Sequence, residues 1–508
     1  METASTLTGR IGDSPNRLVR QEILEPQFRM EAEQLLPWYV LAEKVLVLEY
    51  LRMGLIDRHQ AERLGGALSG VDAAGLDPGA AMTDMAFAIE RRVPALLGEE
   101  PPPAWHVDRS RNDLQACAQL LRCKERLLET ADLIAACARA GQALASRHLT
   151  DLMPGYTHLQ PAQVTTPAHY LTALTTHLLR TLRRLRGVYA DLDLSPLGAG
   201  AMTGLELDWD RERMAGLLGF SGAQPHTLVA VASRSWVLEV AAELSTCGVT
   251  LGRFVTDLMT WSGGGHGFVD LPDELAGISS AMPQKRNFPV LERIRGRAAH
   301  LTSHYLDAVL CQRATPYGNS VEVAKEGGVA LAALLDDARS VFRLLALVLE
   351  HLRFDPGRMR ALCEREYLGG FTLANLLTLR AGVPARTAQV IAGRYITAAV
   401  DRGLPPSAHD PDLLNDLLTG LPTGGAAEHG IGARAAGELL RDSADLERLV
   451  RRGPGSPQPE AVAELADGLS RELAGLERDW ERLRAVHRAA PARVDRLLLG
   501  REGPPIGG

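Results

Sequence analysis

Gly277-Ile-Ser-Ser-Ala-Met-Pro-Gln-Lys-Arg-Asn287 packs two hydroxyls, a lysine, an amide and a helix-stopping proline into eleven residues. Gly277 and Pro283 disfavour a helix, which leaves backbone N–H groups and the Ser279 and Ser280 hydroxyls free to face a ligand. Lys285 and Asn287 are two residues apart, so in an extended chain they project to one side and can hold a single carboxylate. The apolar run from Phe288, carrying Glu292 and Arg295, reads as a helix. The loop would then deliver its polar groups to a helix amino end, where anions are favoured. A polar surface loop is the competing reading of the same string.

At 508 residues the chain exceeds the usual domain size of about 100–200 residues, so two or three domains are expected. Apolar residues make up 46% and aromatics only 5%, a balance that suits a helical protein. A net charge of -7 provides no basic field for nucleic acid, and an anionic substrate would need local cations. The cysteines, Cys117, Cys123, Cys137, Cys247, Cys311 and Cys363, contain no Cys-x-x-Cys pair. That argues against a zinc site or a disulfide framework and fits a reducing cytosol. Residues 1–20 lack an apolar targeting core, and no uncharged run approaches the roughly 20 residues that span a bilayer. A cytoplasmic protein without membrane partners is expected.

Along the chain, residues 1–20 read as a flexible lead-in, and apolar spacing predicts one helix from Glu31 to about Gly54 and another over 57–69. His106-Val-Asp-Arg-Ser-Arg-Asn-Asp113 opens a long segment, 114–149, that has no proline. This arginine-bearing turn fits an anion cradle and a solvated, capped helix start equally well. Met153-Pro-Gly-Tyr-Thr-His-Leu-Gln-Pro161 is bounded by prolines and reads as a loop. Further helices are expected over 167–192, 229–261, 289–314 and 321–352. With 114–149 they make five helices near or above 25 residues, the lengths of an extended bundle. Apolar stripes on more than one face of such helices imply oligomerisation. Glycines in Ser195-Pro-Leu-Gly-Ala-Gly-Ala-Met-Thr-Gly204 most simply permit close backbone packing. Arg451-Arg-Gly-Pro-Gly-Ser-Pro-Gln-Pro459 reads as an exposed linker, 460–499 as a helix and 503–508 as a disordered end.

The 277–287 string resembles the signature loop of the fumarase/aspartase superfamily, and its Pro-Gln-Lys-Arg-Asn form is most similar to argininosuccinate lyase. Arg109-Ser-Arg-Asn-Asp113, Pro154-Gly-Tyr-Thr-His-Leu-Gln160 and the 195–204 turn resemble three further motifs of that family. The resemblance covers roughly residues 30–440. It implies an all-α, three-domain subunit: 1–113, a central bundle 114–365 carrying the 277–287 loop, and 366–508. The superfamily forms a homotetramer with a twenty-helix core and composite active sites drawn from three subunits. The implied reaction is anti elimination of fumarate from a succinylated amine or guanidine, with no metal or organic cofactor. By the same resemblance Ser279 is the candidate base, with Ser280 as the lesser alternative. His158, oriented by Glu292, serves the leaving nitrogen. Lys285, Asn287 and Thr157 hold one carboxylate and Arg111 with Asn112 the other, while Ser110 is a further substrate contact. Gln160, Arg234, Tyr317, Glu322 and Lys325 complete the substrate contacts.

Departures from the family pattern cluster. Ile278 stands where a glycine is usual, Val107 and Asp108 replace Thr-Gly, and Ala232-Ser-Arg-Ser235 lacks the acidic neighbours that usually flank its arginine. Loss of those neighbours should free Arg234 for a substrate anion, and Asp108 should change what is held beside Arg111. Glu322 replaces a glutamine that reads the arginine half of argininosuccinate, an exchange that should disturb that half by more than about 1 kcal/mol. The expected substrate is therefore an altered N-succinyl compound. A genuine argininosuccinate lyase of arginine biosynthesis and a non-catalytic, crystallin-like relative are the alternatives.

Overall fold

In the computed structural model, which describes residues 14–78, 84–419 and 430–500, the chain is built almost wholly of helices. The expected lead-in lies outside the described residues up to position 13, as does the 503–508 end; Arg17–Val19 and Arg20–Leu24 are helical turns. The first long helix breaks in two, α1 (Glu25–Gln34) and α2 (Leu36–Arg52). Pro37 explains the break: its ring clashes with the carbonyl four residues back and it donates no hydrogen bond, so the helix restarts around it. Asp57 and Gln60 form a reciprocal capping box that starts α3 (Arg58–Ser69).

The bundle consists of α4 (Arg111–Ser146), α5 (Pro167–Leu192), α6 (Ser235–Ser262), α7 (Pro289–Gln312) and α8 (Gly327–His351). Packed pairs are α4 with α5, α6 with α7, α7 with α8 and α8 with α4. Leu121, Leu127, Ile294, Leu334 and Phe342 are fully buried between them, each contributing about 1.5–3 kcal/mol by leaving water. The last helix, α9 (Pro459–Leu499), lies on this bundle against α2, α4 and α5. A buried ion pair of 2.6 Å between Lys44 of α2 and Asp495 of α9 fastens it there. A second, smaller core forms among residues 373–440. No helix among the described residues is long and apolar enough to cross a membrane.

Residues 153–165 correct the loop reading. They form an antiparallel hairpin, β1 (Met153–Thr157) with β2 (Gln160–Thr165). A two-stranded ribbon has free edges on both sides, so Pro154 and Pro161 are accommodated where neither needs a ladder N–H. Two more short ladders flank the signature segment: β3 (Val269–Asp270) pairs with β6 (Arg353–Phe354), and β4 (Gly277–Ile278) with β5 (Arg286–Asn287).

Candidate active site

The long helices carry the candidate residues to opposite ends of the bundle. A helix of 36 residues such as α4 spans about 54 Å. Ser110 and Arg111 stand at its start, and the hairpin bearing His158 begins seven residues past its end. Arg234, just before α6, donates through Nε to Gln119 Oε1 near the start of α4. The far end of α6 reaches the start of α5, where Tyr170 meets Trp261 at 4.6 Å, and the segment just past it reaches the hairpin, where His266 meets Tyr156 at 5.8 Å. The signature loop follows, and α7 then runs back until Gln312 donates to the Arg234 carbonyl. Within one chain, the hairpin and signature loop therefore share one end, and Arg111, Asn112, Arg234, Tyr317, Glu322 and Lys325 gather towards the other.

At the signature end, Gly277 pairs with Asn287 and Ile278 with Arg286, which closes the base of the loop. Arg286, which the sequence reading passed over, clamps that base: it pairs with Asp270 at 3.0 Å and Asp273 at 3.0 Å and donates to the Leu271 carbonyl at 2.7 Å. Above the ladder, Ser279 Oγ accepts the Met282 N–H at 3.1 Å. A backbone donor on that oxygen stabilises negative charge on it, which distinguishes Ser279 from the exposed Ser280. Lys285 is exposed and Asn287 half-buried, while Ile278 is 95% exposed.

Thr157, His158 and Gln160 are exposed at the hairpin tip. His158 (φ 53°) and Leu159 (φ 61°) both adopt left-handed backbone, as in a type I′ turn that glycine and asparagine normally fill. Each costs about 1–2 kcal/mol relative to right-handed backbone. Strain of this kind persists where the position of a side chain matters. Leu159 is 83% exposed, an apolar tip with nothing of its own chain to cover it. Glu292 is exposed in the first turn of α7, and no hydrogen bond among the described residues joins it to His158.

At the other end, Ser110 caps α4 by accepting the Asn112 N–H at 3.1 Å. Arg111 is exposed, 3.4 Å from Asp84 and 4.7 Å over the Phe87 ring. Asp113 is buried, accepts from the Gly198 and Gly200 N–H groups at 2.9 and 3.1 Å, and so ties the glycine turn to the helix start. Burial pushes its carboxyl up to about 7 despite these donors. Gly200 (φ +67°) cannot be replaced easily, because a Cβ there would sit 2.4 Å from the Gly204 carbonyl oxygen.

Asp108 faces away from a ligand role: its Oδ2 accepts from the Glu206 and Leu207 N–H groups and from Trp209 Nε1 at 3.0 Å. Arg234 is 3% exposed and not free as the sequence suggested; Nη1 donates to the Val231 and Ser233 carbonyls, and only Nη2 lacks a partner. Lys325 is paired with Glu31, a buried carboxylate that the sequence reading did not single out. Tyr39, Gln115 and Gln27 also donate to Glu31. Glu322 begins a π-helical turn, Glu322–Glu326, a local widening common at functional sites. Tyr317 and Glu322 are exposed.

A five-helix bundle with a strained histidine hairpin and a clamped serine loop at one end has the architecture of a fumarase/aspartase-type lyase subunit. The solved EDDS lyase in complex with formate superimposes with a TM-score of 0.79 at 24% identity, over 96% of each chain. The fumarate lyase from Mesorhizobium sp. BNC1 gives 0.69 at 18%, over 88% of this chain and 97% of that one. Residues 72–302 match the lyase family model. Argininosuccinate lyase of Methanothermobacter thermautotrophicus is 32% identical over 416 residues, 80% of this chain and 86% of the relative. That of Methanothrix thermoacetophila is 31% identical over 470 residues, 91% and 92% of the two chains. This chain belongs to the argininosuccinate lyase family.

Proposed function

We propose that the protein is a carbon–nitrogen lyase that releases fumarate from an N-succinyl amine or guanidine by anti elimination. The observation that carries this reading is Ser279, whose oxygen is held by a loop N–H above a ladder that Arg286 locks. A proton alpha to a carboxylate is weakly acidic, so its removal needs a base and a cradle for the dianion that develops. Ser279, as an alkoxide, takes that proton. Lys285, Asn287 and Thr157 hold the carboxylate on which charge grows, while Arg111 and Asn112 hold the other. As the carbon–nitrogen bond breaks, the electron pair from the lost C–H forms the fumarate double bond. The departing nitrogen takes a proton from His158, directly or through water, with Glu292 orienting the imidazole.

These groups stand at opposite ends of one chain, so the working site is composite. We infer a homotetramer in which three subunits build each site. The exposed apolar side chains Val249, Leu306 and Leu310 on the bundle, with Leu159 and Ile278 at the signature end, support association of chains. The amine is an altered one: Lys325 is already engaged by Glu31, and Glu322 presents a carboxylate where the family presents an amide. The protein acts in the cytoplasm.

Purified protein incubated with a panel of N-succinyl amines and with argininosuccinate should release fumarate, read by its ultraviolet absorbance. Ser279→Ala should lower turnover at least about 100-fold with folding intact. Near wild-type rates in that variant would remove Ser279 from the role of base. Fumarate binding without turnover of any compound would instead favour a non-catalytic, crystallin-like relative. Rapid turnover of argininosuccinate above the rest would make the protein a genuine argininosuccinate lyase.

A further inference from the structure

Arg111 is the first residue of α4 and its side chain is half exposed, yet the fold does not leave it loose. One face of its guanidinium lies over the Phe87 ring, with Cζ 4.7 Å from the ring centroid. One edge, at Nη1, stands 3.4 Å from Asp84 Oδ2. These are the ring contact and the ion pair that Arg111 makes among the described residues. Both partners belong to the start of one element, the helix Met85–Leu97 and its capping residue.

That element is itself fixed. Met85, Ala86, Ala88 and Ile89 are buried, which holds the half-buried Phe87 ring in place. Asp84 caps the helix, its Oδ1 accepting the Ala86 N–H at 3.0 Å, so Oδ2 is the oxygen left to meet Arg111. At 3.4 Å this pair is longer than the about 2.7–2.9 Å of a charge-assisted hydrogen bond. A ligand carboxylate lying in the guanidinium plane can make two such bonds, and so can displace Asp84. Phe87 covers a face and leaves the N–H edges open, so stacking and an edge-on grip are compatible.

We propose that Phe87 and Asp84 are positioning residues for Arg111: Phe87 fixes the plane of the guanidinium, and Asp84 occupies its edge as an internal carboxylate that the substrate must displace. The proposal rests on the lyase reading above, in which Arg111 holds one carboxylate of the fumarate unit. A long side chain that is already stacked loses less rotamer freedom when it grips a ligand, so Phe87 favours binding. Asp84 opposes it, because its pair with Arg111 must open first. The two neighbours act on one group with opposite sign, which separates them from residues that only support the fold.

Fumarate binding to the intact protein, measured by calorimetry at low salt, tests this without requiring turnover. Asp84→Asn keeps the helix cap, since asparagine caps as well as aspartate, and should bind fumarate about 3-fold more tightly with Tm unchanged. Phe87→Leu keeps an apolar side chain but loses the ring face, and should bind about 3-fold more weakly. Phe87→Tyr restores the face and should bind as the wild type does. Asp84→Asn remains decisive if Phe87→Leu does not fold. Binding in Asp84→Asn that is no tighter, binding in Phe87→Leu that is no weaker, or Phe87→Tyr as weak as Phe87→Leu would overturn the proposal. If fumarate affinity is untouched in all three variants but lost in Arg111→Gln, this inference fails and the lyase reading stands. A wild type that neither binds fumarate nor releases it from any N-succinyl compound would sink the lyase reading, and this inference with it.

Discussion

Asp113 makes stability at the Arg111 end depend on pH in a calculable way. Its carboxyl is buried and pushed from the ordinary 3.8 up to about 7, with burial outweighing the Gly200, Gly198 and Leu114 N–H donors. An acid whose folded value is raised binds more protons folded than unfolded between those two values, so stability falls as pH rises through the window and levels off above pH 7. Each unit is worth about 1.4 kcal/mol, and integration between pH 4.5 and 8 gives a loss of roughly 3 kcal/mol from this group. Asp113→Asn removes the titration while keeping one acceptor oxygen for the glycine turn. Urea unfolding of both proteins across that range should show the wild type losing about 3 kcal/mol relative to the variant as pH rises. A wild-type minus variant difference that stays flat, or that moves the other way, would refute the claim that the buried group is held protonated.

Asp108→Ala removes the acceptor for three donors in the 206–209 segment and should lower stability by at least about 2 kcal/mol, read as a fall in Tm, while KM for an N-succinyl substrate stays unchanged. A raised KM without loss of stability would return Asp108 to the substrate. Ser279→Ala and Arg111→Ala should each be nearly inactive alone. Unfolded together and refolded as hybrids, they should regain measurable activity, because a composite site can draw its loop from one chain and its arginine from another. Verified hybrids that remain as inactive as their parents would place the whole site within one chain.

Local signals carried much of this structure. Helices α5, 167–192, and α9, 459–499, follow the apolar period closely, and in α9 the period carries the helix through the interior Pro491. The break at Leu35 was written in Pro37, but eight apolar positions of helical period around it masked the interruption. In 153–165 the prolines suggested a loop, whereas a free-edged hairpin tolerates them, and no asparagine–glycine pair marked its turn. The partners of the site residues were harder still. Glu31 and Lys325 are 294 positions apart and meet only because α1 is brought beside the start of α4 and the π-helical turn that leads into α8. Arg286 reads as one more polar loop residue until β3 and β4 bring Asp270, Leu271 and Asp273 around it. A motif records which groups chemistry needs, while the groups that hold them in place are chosen by packing.

On the proposed composite reading, the same separation ties activity to assembly. Each chain carries its serine loop and strained histidine at one end of helices about 36–54 Å long and its arginine clamp at the other. The two halves cannot meet by bending a bundle whose core is packed without slack. On the proposed composite reading, activity therefore requires a neighbouring chain to bring its opposite end alongside. The exposed Leu159 and Ile278 then have a purpose that a lone subunit denies them: covered by another chain, they exclude water from the site where charge must develop. Dilution below the dissociation constant of the assembly should accordingly remove activity before it removes helicity, since every helix described here is already complete within one chain.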